Sequence, residues 1–230
     1  MANTPDSGAH LVVDGLARRF GRRWALARVS LEMRPGEAVL VTGPNGSGKT
    51  TLLRCLATAL RPHVGTIRFN EQDLWANRFR LRSRIGFLAH ASRLYNDLSA
   101  RENLKVWARL GGIHNDIDEV LGWVDLPTDR HEAVRTYSAG MRRRLSMAIA
   151  LLERPALMLV DEPFATVDPD GRELMGKVLT QMREAGTTMV MASHMPKAAG
   201  KFCTTAIHLD AGQIVWRGKP EDTPAMSGGV

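Results

Sequence analysis

The sequence lacks most of what a chain needs to span a membrane or to be stapled outside one. It has two cysteines, Cys55 and Cys203, with no metal-like spacing. That argues against a disulfide scaffold or a cysteine metal site and fits a reducing compartment, where both act as small buried apolar residues. No apolar run approaches the ~18–20 residues of a membrane-spanning helix. The longest candidate, Met147–Leu152, ends at Glu153 and Arg154. The first ten residues, MANTPDSGAH, lack the basic start and apolar stretch of a signal peptide. The expectation is a protein that stays on the side where it is made and meets a membrane only through a partner. Aromatic residues are also scarce, at 6%. They do not interleave with the basic residues as they would in a single-strand nucleic-acid binder. There is no internal repeat and no low-complexity linker.

What the sequence does have is positive charge. The net charge is +7, with arginine clusters at Arg18–Arg19, Arg22–Arg23, Arg78–Arg84 and Arg142–Arg144. Such a balance suits nucleic acid or an anionic membrane surface. It suits equally well scattered solvated faces plus a few arginines near a phosphate site.

Strand signals come first: Leu11–Val13, Val29–Met33 and the apolar Ala38–Val41. A glycine-rich turn and an apolar helix from Lys49 to about Leu60 follow, with Pro62 as the stop. Ile67–Phe69 and Ile85–Leu88 are further strands. From Ser99 the pattern turns helical. Ser99 and Glu102 form a capping box, and Gly111–Gly112 end the helix. Asp116–Val124 and Gly140–Leu152 are two more helices. Strand and helix then alternate: Ala156–Val160, Pro169–Glu184 and Thr187–Ala192. A hairpin of Thr205–Leu209 and Ile214–Arg217 closes the series. This order predicts an α/β fold with a largely parallel sheet and an inserted helical lobe. Residues 1–9 and 219–230 read as frayed tails.

Two motifs carry chemistry. Gly43-Pro44-Asn45-Gly46-Ser47-Gly48-Lys49-Thr50 is a complete GxxxxGK[ST] phosphate loop between a strand and a helix. Its glycines let backbone N–H groups turn toward phosphate, and the helix N-terminus adds partial positive charge. Lys49 is expected on the β- and γ-phosphates, Thr50 on Mg²⁺, and Thr51 beside them. The second motif is Leu157-Met-Leu-Val160-Asp161-Glu162, an apolar strand ending in two carboxylates. Such a strand delivers them to the carboxyl end of the sheet, where α/β folds bind ligands. Asp161 is expected to hold the metal, largely through water, and Glu162 to act as general base.

On these residues the chain resembles the ATP-binding cassette (ABC) transporter ATPase family over about residues 10–218. The resemblance implies a single P-loop NTPase domain of ABC type. A RecA-like core with an antiparallel β edge would cover about 10–88 and 155–218, and a helical subdomain about 89–154. Tyr137-Ser138-Ala139-Gly140-Met141 resembles the family signature LSGGQ and keeps its serine and second glycine, with Arg144 at the usual arginine. In the family this segment contacts the γ-phosphate bound by the other subunit; a helix cap is the plainer reading of the same residues. Asp168 resembles the loop that crosses to the partner, and it also reads as an N-cap for the helix starting at Pro169. His194 resembles the switch histidine that bonds the γ-phosphate. Phe20 resembles the aromatic that stacks on adenine, with a core phenylalanine as the alternative. His90 stands where the family usually has a glutamine that touches Mg²⁺ and the water. Histidine titrates near neutral pH, so contacts there would be pH-sensitive.

The resemblance therefore implies ATP and Mg²⁺ as ligands and a homodimer with ATP at its interface. Separate transmembrane permease subunits would complete the assembly, at the cytoplasmic face of the cell membrane. Within the family, His90, Leu94-Tyr95, Glu102-Asn103-Leu104 and the Asp161–Asp168 segment resemble the CcmA group of cytochrome c maturation. That implies haem export and CcmB/CcmC-like partners. The alternative is another two-component exporter, for a drug, lipid or polysaccharide. A soluble ABC ATPase acting on nucleic acid is the remote one. One cassette, and no sustained heptads between Lys49 and Asp161, speak against it, so no nucleic-acid partner is expected.

Overall fold

A computed structural model describes residues 8–90, 93–129, 131–164 and 167–224. Two sheets organise it. The first is four-stranded and antiparallel, in the order β2-β1-β4-β5. Its strands are β1 (Leu11–Phe20), β2 (Arg23–Met33), β4 (Val64–Phe69) and β5 (Gln72–Asp73). The second is six-stranded, in the order β10-β9-β3-β8-β7-β6. It comprises β3 (Ala38–Thr42), β6 (Ile85–Leu88), β7 (Leu157–Asp161), β8 (Thr188–Ala192), β9 (Thr205–Asp210) and β10 (Gln213–Gly218). All its neighbours run parallel except the β9–β10 hairpin. The helices are α1 (Lys49–Leu56), α2 (Arg78–Leu81), α3 (Ala100–Gly111), α4 (Ile117–Trp123), α5 (Ala139–Leu151), α6 (Pro169–Glu184) and α7 (Pro196–Ala199).

The apolar runs read from sequence are the central strands. Every residue of β3, β7 and β8 is buried, as expected for parallel strands covered on both faces. Side chains alternate across a strand, so each run feeds two cores. Ala38, Leu40, Met158, Val160, Met189 and Met191 pack with α3, α4, α5 and α6. Val39, Val41, Leu157, Leu159, Val190 and Ala192 pack with α1 and the antiparallel sheet.

Several boundaries differ from expectation. Helix α1 stops at Leu56, well before Pro62, because Ala57 caps it and Thr58 turns left-handed (φ 55°). Strand β1 runs on to Phe20, with register shifts on either side of Leu16 that let it bend past Gly15. Short β5 and α2 had no clear signal. Ala9 is not part of a tail. It is fully buried, its N–H donates to Ala156 O at 3.2 Å, and its carbonyl accepts from Thr188 Oγ1 at 2.7 Å. The tail expected at 219–230 lies outside the described residues from 225 on, and Pro220–Asp222 form a 3₁₀ turn. The capping box is present: Ser99 Oγ accepts from Glu102 N–H while the Glu102 carboxylate accepts from Ser99 N–H. Both cysteines are buried, and burial pushes each thiol up to about 12, which makes them inert.

A groove of about 370 Å³ opens beside β6 and α5 and is lined in part by Ile85, Phe87, Trp107, Ile149 and Glu153. Burial pushes the Glu153 carboxyl up to about 7. A carboxyl raised on folding binds its proton more tightly in the folded state. Its neutral form therefore favours folding at low pH, and that contribution is lost as pH rises toward 7. Glu153→Gln is expected to raise the melting temperature at pH 8 and to leave it unchanged near pH 4.5. A melting series from pH 4.5 to 8 checks this; equal slopes for parent and variant would contradict it.

Candidate functional site

Four parallel strands in the lateral order β3-β8-β7-β6 end along one edge, and each releases a segment with functional groups. Val41 pairs with Ala192, Ala192 with Asp161, and Val160 with Leu88. The segments leaving these strands are Gly43–Thr50, Ser193–His194, Asp161–Glu162 and Ala89–His90. A cleft of about 980 Å³ opens there. It is lined by Asn45, Gly46, Gly48, Lys49, Thr50 and Thr51, by Asp161, Glu162, His194 and His90, and by Phe20.

The loop geometry depends on glycine at two points. Gly43 has φ 136°, and a Cβ there would lie 2.1 Å from Leu209 O. Gly48 has φ 111° at the N-cap of α1, and a Cβ would lie 2.3 Å from Ala25 O. Only glycine satisfies both demands. Lys49 Nζ donates to the carbonyls of Gly43 (2.7 Å) and Pro44 (3.0 Å). Burial lowers its pKa, and the charges of Glu162 and Asp161 oppose that shift. Ser47 is buried and anchors the loop through its backbone, its carbonyl accepting from Gly212 N–H at 3.0 Å.

Thr50 Oγ1 donates to Asp161 Oδ2 at 3.0 Å. Burial raises the Asp161 carboxyl, and the Thr50 hydroxyl partly offsets it. A hydroxyl and a carboxylate side by side under a phosphate loop fit Mg²⁺, which takes few protein oxygens and fills its octahedron with water and phosphate. Among the described residues no group of three or more His, Cys, Asp or Glu could hold a metal ion.

Glu162 has φ 54°. A left-handed non-glycine costs on the order of 1 kcal/mol or more and persists only where its surroundings dictate it. Its N–H donates to Ala192 O at 2.9 Å. Its carboxylate accepts from His194 N–H at 3.0 Å and lies 2.7 Å from His194 Nδ1 and 3.3 Å from Ser193 Oγ. Its carbonyl accepts from Arg143 at 2.7 Å.

Phe20 is not a core residue. Its ring is 51% exposed at the cleft mouth, with the Arg18 guanidinium 5.1 Å from its centroid. His90 is exposed and also lines the cleft. Ser138, Ala139, Gly140 and Asp168 do not line this cleft. Ser138 caps α5, accepting from Met141 N–H at 3.1 Å, and Asp168 caps α6, accepting from Gly171 N–H at 2.8 Å. Ala165 and Thr166, ahead of Asp168, lie outside the described residues. Sequence reasoning missed Arg23, Arg54 and Arg93, which also line the cleft. No sequence signal singled out Arg143, the neighbour of Arg144 on α5. Arg144 pairs with Asp125 at 2.8 Å on the helical lobe, whereas Arg143 reaches the site.

The ABC transporter family model matches residues 26–165. Among curated relatives, the daunorubicin resistance ATP-binding protein DrrA3 of Streptomyces coeruleorubidus is 34% identical, over 95% of this chain and 71% of its own length. The cytochrome c biogenesis ATP-binding export protein CcmA of Nitrosococcus oceani is 36% identical, over 80% and 85%. The chain belongs to the ABC transporter ATP-binding family. It is thus the ATPase subunit of an ABC transporter. Among solved structures, a dimeric ATP-binding cassette, MJ0796, in a post-hydrolysis state bound to ADP and Pi superposes with a TM-score of 0.82. It is 24% identical, over 91% of this chain and 98% of that one. An ATP-binding subunit of an ABC transporter superposes at 0.84 with 23% identity, over 93% and 91%. These confirm the α/β cassette fold expected from the motifs. No helix among the described residues is long and apolar enough to cross a membrane.

Gly43→Ala would force a Cβ into the Leu209 carbonyl at a left-handed position. ATP affinity is expected to fall by about tenfold or more, since each ~1.4 kcal/mol of loop strain is a factor of ten. Titration with a fluorescent ATP analogue measures it; parental affinity would show that the loop relaxes freely.

Proposed function

We propose that the chain hydrolyses ATP as one half of a head-to-tail dimer and thereby drives an exporter. The observation that carries this is the Glu162 carboxylate, held by His194 at the cleft edge between the phosphate loop and β7. The triphosphate lies along the loop, its charge met by Lys49 and by the N–H groups at the start of α1. Adenine stacks on the exposed face of Phe20. Thr50 and Asp161 would hold Mg²⁺, which supplies neutralisation of the phosphate charge. Imidazole nitrogen suits this ion poorly, so we assign His90 to the water beside it.

The Glu162 carboxylate is bonded to His194. When His194 turns to the γ-phosphate, the carboxylate is freed to take a proton from the attacking water. Water oxygen then bonds to the γ-phosphorus, the bond to the bridging oxygen breaks, and ADP and phosphate form. Ser138, Ala139 and Gly140 are exposed or half-buried at the start of α5, away from their own cleft. In a head-to-tail pair they complete the partner's cleft. That the similar cassette MJ0796 is dimeric with ADP and Pi bound supports the dimer in this reading.

Glu162→Gln is expected to lower kcat by at least about a hundredfold, as for loss of a positioned general base. It should keep ATP affinity and accumulate a dimer with ATP on size exclusion. Parental turnover in this variant would remove Glu162 from the role of base.

For the cargo we assign haem, with CcmB/CcmC-like permeases at the cytoplasmic face of the membrane. The reading rests on the 36% identity to CcmA and on His90 with the Leu94-Tyr95 segment. Export of a drug is the second reading, favoured by the longer match to DrrA3. Cells carrying only Glu162→Gln should lose haem-stained c-type cytochromes while keeping parental drug tolerance. Normal cytochromes with lost tolerance would select the second reading.

A further inference from the structure

Arg143 is an anomaly on the signature-bearing helix. It is 7% exposed and makes no ion pair among the described residues. Its guanidinium instead spans three backbone carbonyls on two strand ends. It donates to Ala89 O at 2.6 Å, to Asp161 O at 2.6 Å and to Glu162 O at 2.7 Å. Ala89 precedes His90, so one side chain touches the backbone of every segment that leaves β6 and β7 for the cleft. Burial pulls the guanidinium down to about 10, and the charges of Asp161 and Glu162 oppose that shift. It therefore stays cationic at neutral pH.

Two features make this more than a structural filler. First, Glu162 sits at φ 54°, a conformation that its environment must enforce. Its carbonyl is held by Arg143 alone among the described contacts, and its N–H is held by Ala192. Second, Arg143 lies only five residues after Ser138, the N-cap of α5. The same rigid helix start thus meets solvent at Ser138 and the catalytic edge at Arg143. A planar fork of donors can serve three acceptors at once; an ammonium cannot do so in the same geometry.

We propose that Arg143 is a positioning residue for hydrolysis: it clamps the carbonyls of Ala89, Asp161 and Glu162 so that the base and metal carboxylates keep the geometry that the reaction requires, and it ties them to the helix that carries Ser138 and Gly140. It touches neither nucleotide nor water and acts only through these residues. The inference rests on the ATPase reading above.

The test compares full-length parent, Arg143→Gln and Arg143→Lys by steady-state ATP hydrolysis, binding of a fluorescent ATP analogue, and melting. Arg143→Gln is expected to lower kcat by about tenfold or more while KM and analogue affinity stay within about threefold, the pattern of a lost transition-state interaction. Arg143→Lys should recover part of kcat. If Arg143→Gln does not fold, Arg143→Lys decides: a reduced kcat at parental affinity supports the role, and a parental kcat overturns it. It is also overturned if Arg143→Gln turns over within about twofold of the parent, or if kcat, affinity and melting temperature fall together in both variants. No hydrolysis by the parent would overturn the functional reading and this inference with it. Hydrolysis by the parent with an unaffected Arg143→Gln variant overturns the inference alone.

Discussion

The parallel ladder that sets Val41 beside Ala192 and Ala192 beside Asp161 decides where every polar group of the cleft can stand. A parallel sheet ends all its strands in the same sense, so their carboxyl ends form one edge. Here that edge delivers a phosphate loop, a histidine, two carboxylates and a second histidine side by side. Slipping one strand by a residue would exchange its two faces. It would drive Leu40 or Val160 out of one core and into the other and move Asp161 off Thr50. The two hydrophobic cores thus fix the register, and the register fixes the chemistry.

Polar groups at that edge sit on the least forgiving part of the fold. Asp161 is 3% exposed and Lys49 9%, and each would be costly to bury alone. They are tolerated because Thr50, the Gly43 and Pro44 carbonyls and their own mutual attraction meet them. A triphosphate brings the charge that this arrangement lacks. The cleft is positive at the loop and at Arg23, Arg54 and Arg93, and negative at the carboxylates, so an anion carrying a cation suits both sides. The charge excess that the sequence left open between nucleic acid, membrane and phosphate is met in part by these cleft arginines.

Much of this was legible in sequence, for a physical reason. Buried parallel strands read as unbroken apolar runs, so Ala38–Thr42 and Leu157–Asp161 stood out. Gly43 and Gly48 stood out through the phosphate-loop motif, and the structure supplies the reason for glycine there: the Leu209 and Ala25 carbonyls leave no room for a Cβ. What was hidden depended on tertiary direction. Arg143 and Arg144 are adjacent letters, but on a helix they point about 100° apart. Only the packing of α5 against β6 and β7 shows which of them turns inward. The end of α1 was hidden similarly: residues 57–60 have no breaker, and the stop comes from the left-handed turn at Thr58. The exposure of Phe20 follows from the length of β1, which continues past its bulges to the cleft mouth.

Helix α5 is where these constraints meet. Its first residues are exposed and its next turn is buried against the catalytic edge. Five residues of helix rise only about 7.5 Å, and a hydrogen-bonded turn over that distance does not flex independently at its two ends. On the proposed reading, in which Ser138 meets a phosphate, a displacement there passes along the helix to Arg143, and through its three carbonyl bonds to Ala89, Asp161 and Glu162. Because Glu162 stands in a strained left-handed conformation, small changes in those bonds bear directly on its orientation. A lobe that only packed against the sheet through apolar contacts would slide without that consequence. The buried guanidinium converts packing into position, and it does so at Ala89, next to His90.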